Sequence, residues 1–224
     1  MHTTFGGDKK VGQSLLGPLE KRLVTLMTPH VPQWLSTSTL TYSTILWSLL
    51  IILFSFLAQW DIRALWMVSF MIFLQWLTDS LDGAVGRYRN TGLIRWGYYM
   101  DHFLDYIFLC SILIGYSFIL PDHFKYLLFF ILAIFGAFMV NSYLSFAATN
   151  EFRISYLGIG PTEIRLVFIT INTLLILFGT THLAFALPYV LGFSLFGLCV
   201  VVARASSSIW KIDMDRKKDA THDS

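Results

Sequence analysis

Four aspartates recur at helical spacing in the first half of the chain. Asp79 and Asp82 are three residues apart and Asp101 and Asp105 are four apart, so each pair lies on one face of its helix. Carboxylates inside an apolar segment are costly, at about 2.5–3.5 kcal/mol each at a helix centre, and they repel one another. An all-oxygen ligand set suits Mg²⁺, Mn²⁺ or Ca²⁺ rather than zinc. The pattern predicts two divalent cations, Mg²⁺ or Mn²⁺, held by these four side chains, which suits chemistry at a pyrophosphate.

Two glycines and an arginine accompany the first acidic pair. Gly83 and Gly86 share the face of the first two aspartates, and glycine there leaves a trough where a base or a phosphate can approach the backbone. Arg87 comes next and is placed for bidentate contact with phosphate oxygens. Arg87 and Arg95 together cannot neutralise four carboxylates, so cations remain necessary.

Long apolar segments must position these residues. The 224-residue chain is 55% hydrophobic and 13% charged, with a mean hydropathy of +0.62, whereas soluble domains carry about 25% charge. A helix needs about 20 apolar residues to cross the hydrocarbon. Six such segments occur, at 38–59, 63–86, 93–119, 123–148, 161–180 and 184–210. Residues 17–27 mix charged and apolar side chains at helical spacing. We therefore expect an all-α integral membrane fold, with six transmembrane helices preceded by a short amphipathic surface helix.

Three parts follow along the chain. Residues 1–30 form an N-terminal tail and the amphipathic surface helix, residues 31–210 form a six-helix membrane domain, and residues 211–224 form a charged, frayed cytoplasmic tail. The connection between the second and third spans is short, so we expect these spans to be antiparallel neighbours whose acidic faces meet. Cys110 and Cys199 lie in apolar runs and are expected to be small hydrophobic residues rather than a disulfide.

The distribution of basic residues indicates an orientation. Of the 16 Lys and Arg residues, all but Arg63 and Lys125 fall on the side that holds both termini. This asymmetry predicts a multi-pass protein with cytoplasmic termini and an active site facing the cytoplasm. A bacterial inner membrane and an endomembrane fit equally well. The basic residues lie at span ends rather than along one face, which argues against a nucleic-acid partner.

The acidic stretch resembles a known family signature. From Asp79 to Asp105 the spacing is Asp-x2-Asp-Gly-x2-Gly-Arg-x9-Gly-x3-Asp-x3-Asp. It is similar to the signature of the CDP-alcohol phosphotransferase (CDP-alcohol phosphatidyltransferase) family, in which Ala stands at the position of Gly86. Before the first span, the segment from Thr37 to Thr41 resembles the family's Pro-Asn-x-Leu-Thr entry, but Thr37 and Ser38 stand where the family has Pro and Asn, so that part of the resemblance is incomplete.

The resemblance implies residue roles. Asp79, Asp82 and Asp101 would hold a pair of divalent metals, and Asp105 would complete the metal site and act as the base that deprotonates the accepting hydroxyl. The CDP site would be lined by Gly83, Gly86 and Arg87. The partners implied are a CDP-linked lipid or alcohol donor, a small polar alcohol or lipid acceptor, membrane lipids and a second copy of the chain in a homodimer.

Two substrate assignments are open. The Asp101-His102 pair and the run Gly160-Pro-Thr162-Glu163-x-Arg165 resemble the eukaryotic choline and ethanolamine phosphotransferases, which would make His102 the base and diacylglycerol the acceptor. The compact six-span chain instead resembles members that use CDP-diacylglycerol as donor and a polar head-group alcohol as acceptor, and we favour that assignment. Arg153 either contacts a phosphorylated acceptor or anchors the chain at the surface. Glu163 and Arg165 either belong to the site or flank a span.

Two other classes of protein fit this pattern less well than a transferase. A cation transporter predicts acidic groups deep in several spans and often repeated halves, whereas the four aspartates cluster at one end of two spans. A catalytically inactive scaffold does not require all four aspartates in this register.

Overall fold

Helices make up nearly all of the part of the chain that the computed structural model describes, which is residues 10–11, 14–150, 152–153 and 160–222. There the α-helices are α1 (Gly17–Met27), α2 (Thr37–Leu57), α3 (Leu65–Tyr88), α4 (Ile94–Ile119), α5 (Asp122–Thr149), α6 (Pro161–Phe178) and α7 (Thr181–His222). Short 3₁₀ turns precede α2 and α3, at Thr28–His30 and Ile62–Ala64. Helices α2 to α7 are long and apolar enough to cross a membrane. The predicted all-α, six-span membrane fold is confirmed.

Helix α1 coincides with the predicted surface helix. Its residues are not buried, and several leucines on and beside it are exposed, with Leu15 at 78% and Leu26 at 62%. Such a helix gains no stability from a core of its own and needs a neighbouring surface. Before α1 the structure describes residues 14–16 and Lys10–Val11, which pairs in parallel with Phe152–Arg153 as a two-residue strand bridge.

Helix α2 lies between α3 and α4 in the bundle. It packs extensively against both α3 and α4, and small hydroxyl residues dominate its buried face: Thr37, Thr41, Thr44, Ser48 and Ser55. Small side chains allow helix backbones to approach closely in membranes. At the contact with α4, a Cβ added to Gly115 would lie 2.8 Å from the Cβ of Ser55. Glycine is therefore required where these two helices meet.

This packing corrects one expectation. The short connection predicts that α3 and α4 are direct neighbours, but α2 lies between them and they make few direct contacts. The prediction is wrong because a short connection fixes only the joined helix ends and not what packs along their length. The acidic faces still meet, across a cleft that α2 helps to line.

Buried hydrogen bonds fix the position of α6 along α3 and α4. Arg165, Phe168, Asn172 and Leu175 form its buried face. The Asn172 side-chain amide donates to Ser69 Oγ at 3.1 Å and accepts from the Tyr116 hydroxyl at 3.0 Å. A buried polar group is stable only when it is paired, so these bonds favour one register of α6 against α3 and α4.

The last helix is longer than predicted. The sequence predicts a span at 184–210 followed by a frayed tail, but α7 runs without interruption to His222. Residues 211–222 include neither Gly nor Pro, and Lys218 lies 3.8 Å from Asp215 one turn earlier. Charge ends a membrane span without ending a helix, since Lys, Arg and Asp at this spacing are compatible with helix. Cys110 and Cys199 are free thiols, as expected.

Candidate active site

Three of the four signature aspartates line one small cleft. Asp79 and Asp82 come from the second half of α3, and Asp101 comes from the first third of α4. The remaining lining residues are Thr41, Thr44 and Leu104. Helix α2 contributes both threonines, so three helices build the cleft. The expectation that the acidic faces of the second and third spans meet is thus confirmed.

Asp105 joins the cleft through an arginine rather than by lining it. The Nη2 atom of Arg165 donates to Asp79 Oδ2 at 2.8 Å and to Asp105 Oδ1 at 3.0 Å. The Nε atom of Arg165 donates to Gln75 Oε1 at 2.7 Å, and the guanidinium lies 5.5 Å from the Phe108 ring centroid. Only 5% of the Arg165 side chain is exposed. A buried cation between two carboxylates orients both and offsets part of their repulsion.

Asp82 is the most buried of the four signature aspartates. It is 6% exposed, and its Oδ2 accepts a short hydrogen bond from the Thr41 hydroxyl. Its Oδ1 is buried and has no hydrogen-bond partner among the described residues. An unpaired buried carboxylate oxygen is expensive, so a ligand that supplies positive charge there would stabilise the site.

The residues fit a hard divalent cation by chemistry. The cleft offers carboxylate oxygens from Asp79, Asp82 and Asp101, together with the unpartnered Asp82 Oδ1, and oxygen donors are what Mg²⁺ and Mn²⁺ prefer. Among the described residues, however, no three His, Cys, Asp or Glu side chains are already grouped closely enough to hold a metal ion. A cation would therefore bind with some movement of these side chains.

The predicted nucleotide residues lie beside the cleft on α3. Gly83 is exposed and Arg87 folds back over it, with Nη1 3.3 Å from where a Cβ on Gly83 would stand. A Cβ on Gly86 would stand 3.4 Å from Thr37 Cγ2. Gly83 therefore leaves room under the guanidinium, whereas Gly86 lies at the contact between α3 and the start of α2. Their role toward a nucleotide stays a prediction.

His102 is packed among aromatic rings. Its Nδ1 lies 2.6 Å from the carbonyl oxygen of Tyr98 and 3.6 Å from Asp101 Oδ2. Its ring centroid lies 4.5 Å from that of Tyr98 and 5.9 Å from that of Tyr143. At 2.6 Å from a carbonyl oxygen, Nδ1 carries the proton and donates it. This nitrogen is therefore not the one that could accept a proton from a substrate.

The Thr162-Glu163-x-Arg165 run contributes more than the sequence indicates. Arg165 enters the site directly, whereas Glu163 ties the N-terminal segment to α6: its Oε1 accepts from the Leu16 amide and its Oε2 from the Gly160 amide, both at 2.8 Å. The sequence leaves open whether Glu163 and Arg165 belong to the site or flank a span. In the structure Arg165 lies in the site, and Glu163 lies at the start of α6. The side chain of Arg153 lies outside the described residues.

Sequence reasoning missed Thr41, Thr44, Gln75 and Glu20 as neighbours of the site. A signal existed for Thr41, which stands at the end of the incomplete Pro-Asn-x-Leu-Thr segment. Another existed for Gln75, because polar residues deep in a span are expensive and tend to have a partner. Arg165 is the cation that pairs with two of the aspartates. From the sequence, only Arg87 and Arg95 are considered for this role.

Together, fold and site define a multi-pass membrane protein with an acidic, arginine-bridged cleft at one end of its spans. The family model described as CDP-alcohol phosphatidyltransferase matches residues 30–204, and the chain belongs to that family. It is accordingly a transferase of substituted phosphate groups in phospholipid synthesis that uses a CDP-alcohol, in a family that is generally dependent on divalent metal. No curated protein matches the sequence.

Proposed function

We propose that the protein transfers a phosphatidyl group from CDP-diacylglycerol to the hydroxyl of a small polar alcohol, releasing CMP. The observation that carries this proposal is the convergence of Asp79, Asp82 and Asp101 on one cleft, with Asp105 joined to it by Arg165. Cleavage of a pyrophosphate needs concentrated positive charge. The carboxylates of an acidic cleft can hold the cations that supply this charge.

In the proposed reaction the acceptor oxygen attacks the phosphorus that carries the diacylglycerol. A new P–O bond forms, the pyrophosphate P–O bond breaks, and the bridging oxygen leaves with CMP. The proton of the acceptor hydroxyl passes to a carboxylate oxygen of Asp105. Arg165 is 3.0 Å from Asp105 Oδ1 and fixes the direction in which that base points. Orientation of this kind is a large part of catalysis in phosphoryl transfer.

Asp79, Asp82 and Asp101 would hold two divalent cations, Mg²⁺ or Mn²⁺, with Asp105 at the edge of the same ligand set. When bound, such cations polarise the phosphoryl oxygens and stabilise the negative charge on the departing nucleotide. Thr41 orients Asp82 by donating to Oδ2. Asp82 Oδ1, which has no hydrogen-bond partner among the described residues, would then be a metal ligand. On the nucleotide side, Gly83 and Gly86 would give a smooth surface and Arg87 would contact phosphate oxygens.

The compact six-span chain supports CDP-diacylglycerol as donor over CDP-choline or CDP-ethanolamine. The second assignment depends on His102 as the base, and because its Nδ1 donates to the Tyr98 carbonyl, Nε2 is the ring nitrogen that would accept the proton. The ring packs between Tyr98 of α4 and Tyr143 of α5. Asp105 is joined by one guanidinium to Asp79, a proposed metal ligand, and is the base that we propose.

The proposal also includes an orientation in the membrane and an oligomeric state. Both termini and the acidic cleft would face the cytoplasm, because nearly all Lys and Arg residues lie on that side. A water-soluble acceptor would then enter from the cytoplasm and the lipid donor from between helices. We also propose a homodimer, following the resemblance stated above.

One substrate panel tests the proposal. Purified protein with Mg²⁺ or Mn²⁺ is given CDP-diacylglycerol with inositol, inositol phosphate, glycerol phosphate or serine, and separately CDP-choline or CDP-ethanolamine with diacylglycerol. CMP release in the first set supports the proposal. CMP release only in the second set would instead identify CDP-choline or CDP-ethanolamine as the donor and diacylglycerol as the acceptor. The matched control is Asp105→Asn in each reaction. A transporter would release no CMP in any of them.

A further inference from the structure

Glu20, on the surface helix α1, contacts two transmembrane helices at once. Its Oε1 accepts a hydrogen bond from Ser80 Oγ at 2.9 Å, and its Oε2 accepts a short one from Thr162 Oγ1. Ser80 belongs to α3 and Thr162 to α6. Hydrogen bonds to an ionised carboxylate are among the stronger ones in proteins. One side chain therefore joins helices that are 82 positions apart in sequence at these two residues.

Both contacts lie next to the ion pair of the cleft. Ser80 directly follows Asp79 on α3, and Thr162 precedes Arg165 by one helical turn on α6. Asp79 and Arg165 are themselves 2.8 Å apart. The distance between α3 at Ser80 and α6 at Thr162 thus affects the distance between the Asp79 carboxylate and the Arg165 guanidinium, and through Arg165 it also affects the position of Asp105.

We propose that Glu20 is a positioning residue for the reaction: it holds α3 and α6 together at the cleft, so that Asp79, Arg165 and Asp105 keep their register. The inference rests on the proposed function for its catalytic consequence. The competing explanation is that Glu20 only attaches α1 to the bundle. That attachment has a second tether, because the Leu16 amide donates to Glu163.

The two explanations predict different results for single substitutions. If Glu20 only attaches α1, then Ser80→Ala or Thr162→Val leaves the other hydrogen bond and the Leu16 tether in place, and activity is retained. If Glu20 bridges α3 and α6, either substitution breaks the bridge. Each should then lower kcat about as much as Glu20→Ala, by about 10-fold or more, since small misplacements of catalytic groups cost that much.

The experiment compares kcat and KM for CMP release by wild type, Glu20→Ala, Glu20→Gln, Ser80→Ala and Thr162→Val. We expect KM for both substrates to stay within about 2-fold. We expect Glu20→Gln to keep most of the activity, because an amide can accept from one hydroxyl and donate to the other. Adding Ser80→Ala to Glu20→Ala should cause no further loss, since both remove one bridge. The control is Thr25→Ala, which removes an exposed hydroxyl that donates to Lys21 O within α1.

Wild-type kcat in both Ser80→Ala and Thr162→Val, with a loss in Glu20→Ala, would overturn the bridge in favour of simple attachment. Hydrogen exchange keeps this test separate from the proposed function. Loss of the bridge should speed amide exchange in residues 160–166 whether or not the wild type releases CMP. An inactive wild type with that change would reject the proposed function and retain the bridge, whereas unchanged exchange in Glu20→Ala would reject the bridge itself.

Discussion

Arg165 on α6 and Asp105 on α4 form an ion pair inside the bundle, with Nη2 3.0 Å from Oδ1. The same Nη2 lies 2.8 Å from Asp79 Oδ2. One guanidinium therefore fixes the relative placement of a metal-ligand candidate and of the candidate base. This pairing makes α6, which has none of the signature aspartates, a structural part of the site.

Replacing Arg165 by Gln should be severely damaging. It leaves two partly buried carboxylates without their cation, and breaking a buried pair in this way costs about 3–5 kcal/mol. We expect CMP release to fall by about 100-fold or more and thermal unfolding to occur at a lower temperature. Arg165→Lys should be intermediate because Lys keeps the charge and loses the fork of donors. The control is Arg204→Gln, at an exposed position of α7, and equal losses in both variants would contradict the specific role.

Asp105→Asn and Asp79→Asn should separate the base from the metal ligands. Asn at 105 cannot accept the proton, so transfer should be abolished while binding of Mn²⁺ and of a CDP-alcohol is largely preserved. Asn at 79 removes a metal-ligand candidate, so both binding and transfer should be lost. Mn²⁺ titration by electron paramagnetic resonance and CMP release measure the two effects. Full turnover by Asp105→Asn would remove Asp105 as the base and restore His102 as a candidate.

Chelation should stop the reaction reversibly. The cleft holds three carboxylates, and Asp82 Oδ1 is buried with no hydrogen-bond partner among the described residues. Arg165 offsets only part of this negative charge, so metal cations must supply the positive charge that a pyrophosphate requires. We expect EDTA to abolish CMP release, and excess Mg²⁺ or Mn²⁺ to restore it. Undiminished release after exhaustive chelation would contradict the assignment of these aspartates to metal.

Composition and periodicity predict the helices well, and long-range packing poorly. The six spans follow from local hydropathy, because each backbone must satisfy its own hydrogen bonds in lipid. The place of α2 between α3 and α4 depends on how hydroxyl side chains such as Thr44 and Ser48 pack, which no local pattern encodes. Likewise the span ends near Trp210, but the helix continues since nothing there breaks it.

The site divides in the same way. The four aspartates are predictable because their spacing is local and their cost in an apolar segment demands a reason. Arg165 lies 60 residues after Asp105, and nothing local indicates that its guanidinium turns toward the cleft rather than toward lipid head groups. Thr41 is harder still, since a threonine in a helix normally bonds its own backbone; its hydroxyl is in fact also 3.0 Å from the Thr37 carbonyl oxygen.

Thr41→Val should test the support of Asp82. It keeps the shape of the side chain and removes the hydroxyl that donates to Oδ2, which leaves a second oxygen of a buried carboxylate unpaired. We expect CMP release to fall by about 10-fold, in line with roughly 1.5–3 kcal/mol for a hydrogen bond to a charged group. Thr41→Ser should restore most of the activity. Thr170→Val, at an exposed position of α6 with a hydroxyl bonded to its own helix, is the control that should stay near wild type.

The signature glycines should differ in their response to alanine. At Gly86 the added methyl meets Thr37 Cγ2 at 3.4 Å, an ordinary contact, and alanine favours helix by about 1 kcal/mol over glycine. Gly86→Ala should therefore retain activity and unfold at a higher temperature.

At Gly83 the methyl meets Arg87 Nη1 at 3.3 Å, so the guanidinium must shift by a few tenths of an ångström. Because Arg87 is the proposed phosphate contact, Gly83→Ala should raise KM for the CDP-alcohol several-fold with a smaller change in kcat. KM values for donor and acceptor, measured for the two variants side by side, check this difference. A larger donor-KM increase in Gly86→Ala than in Gly83→Ala would place the nucleotide against the start of α2 instead of beneath Arg87.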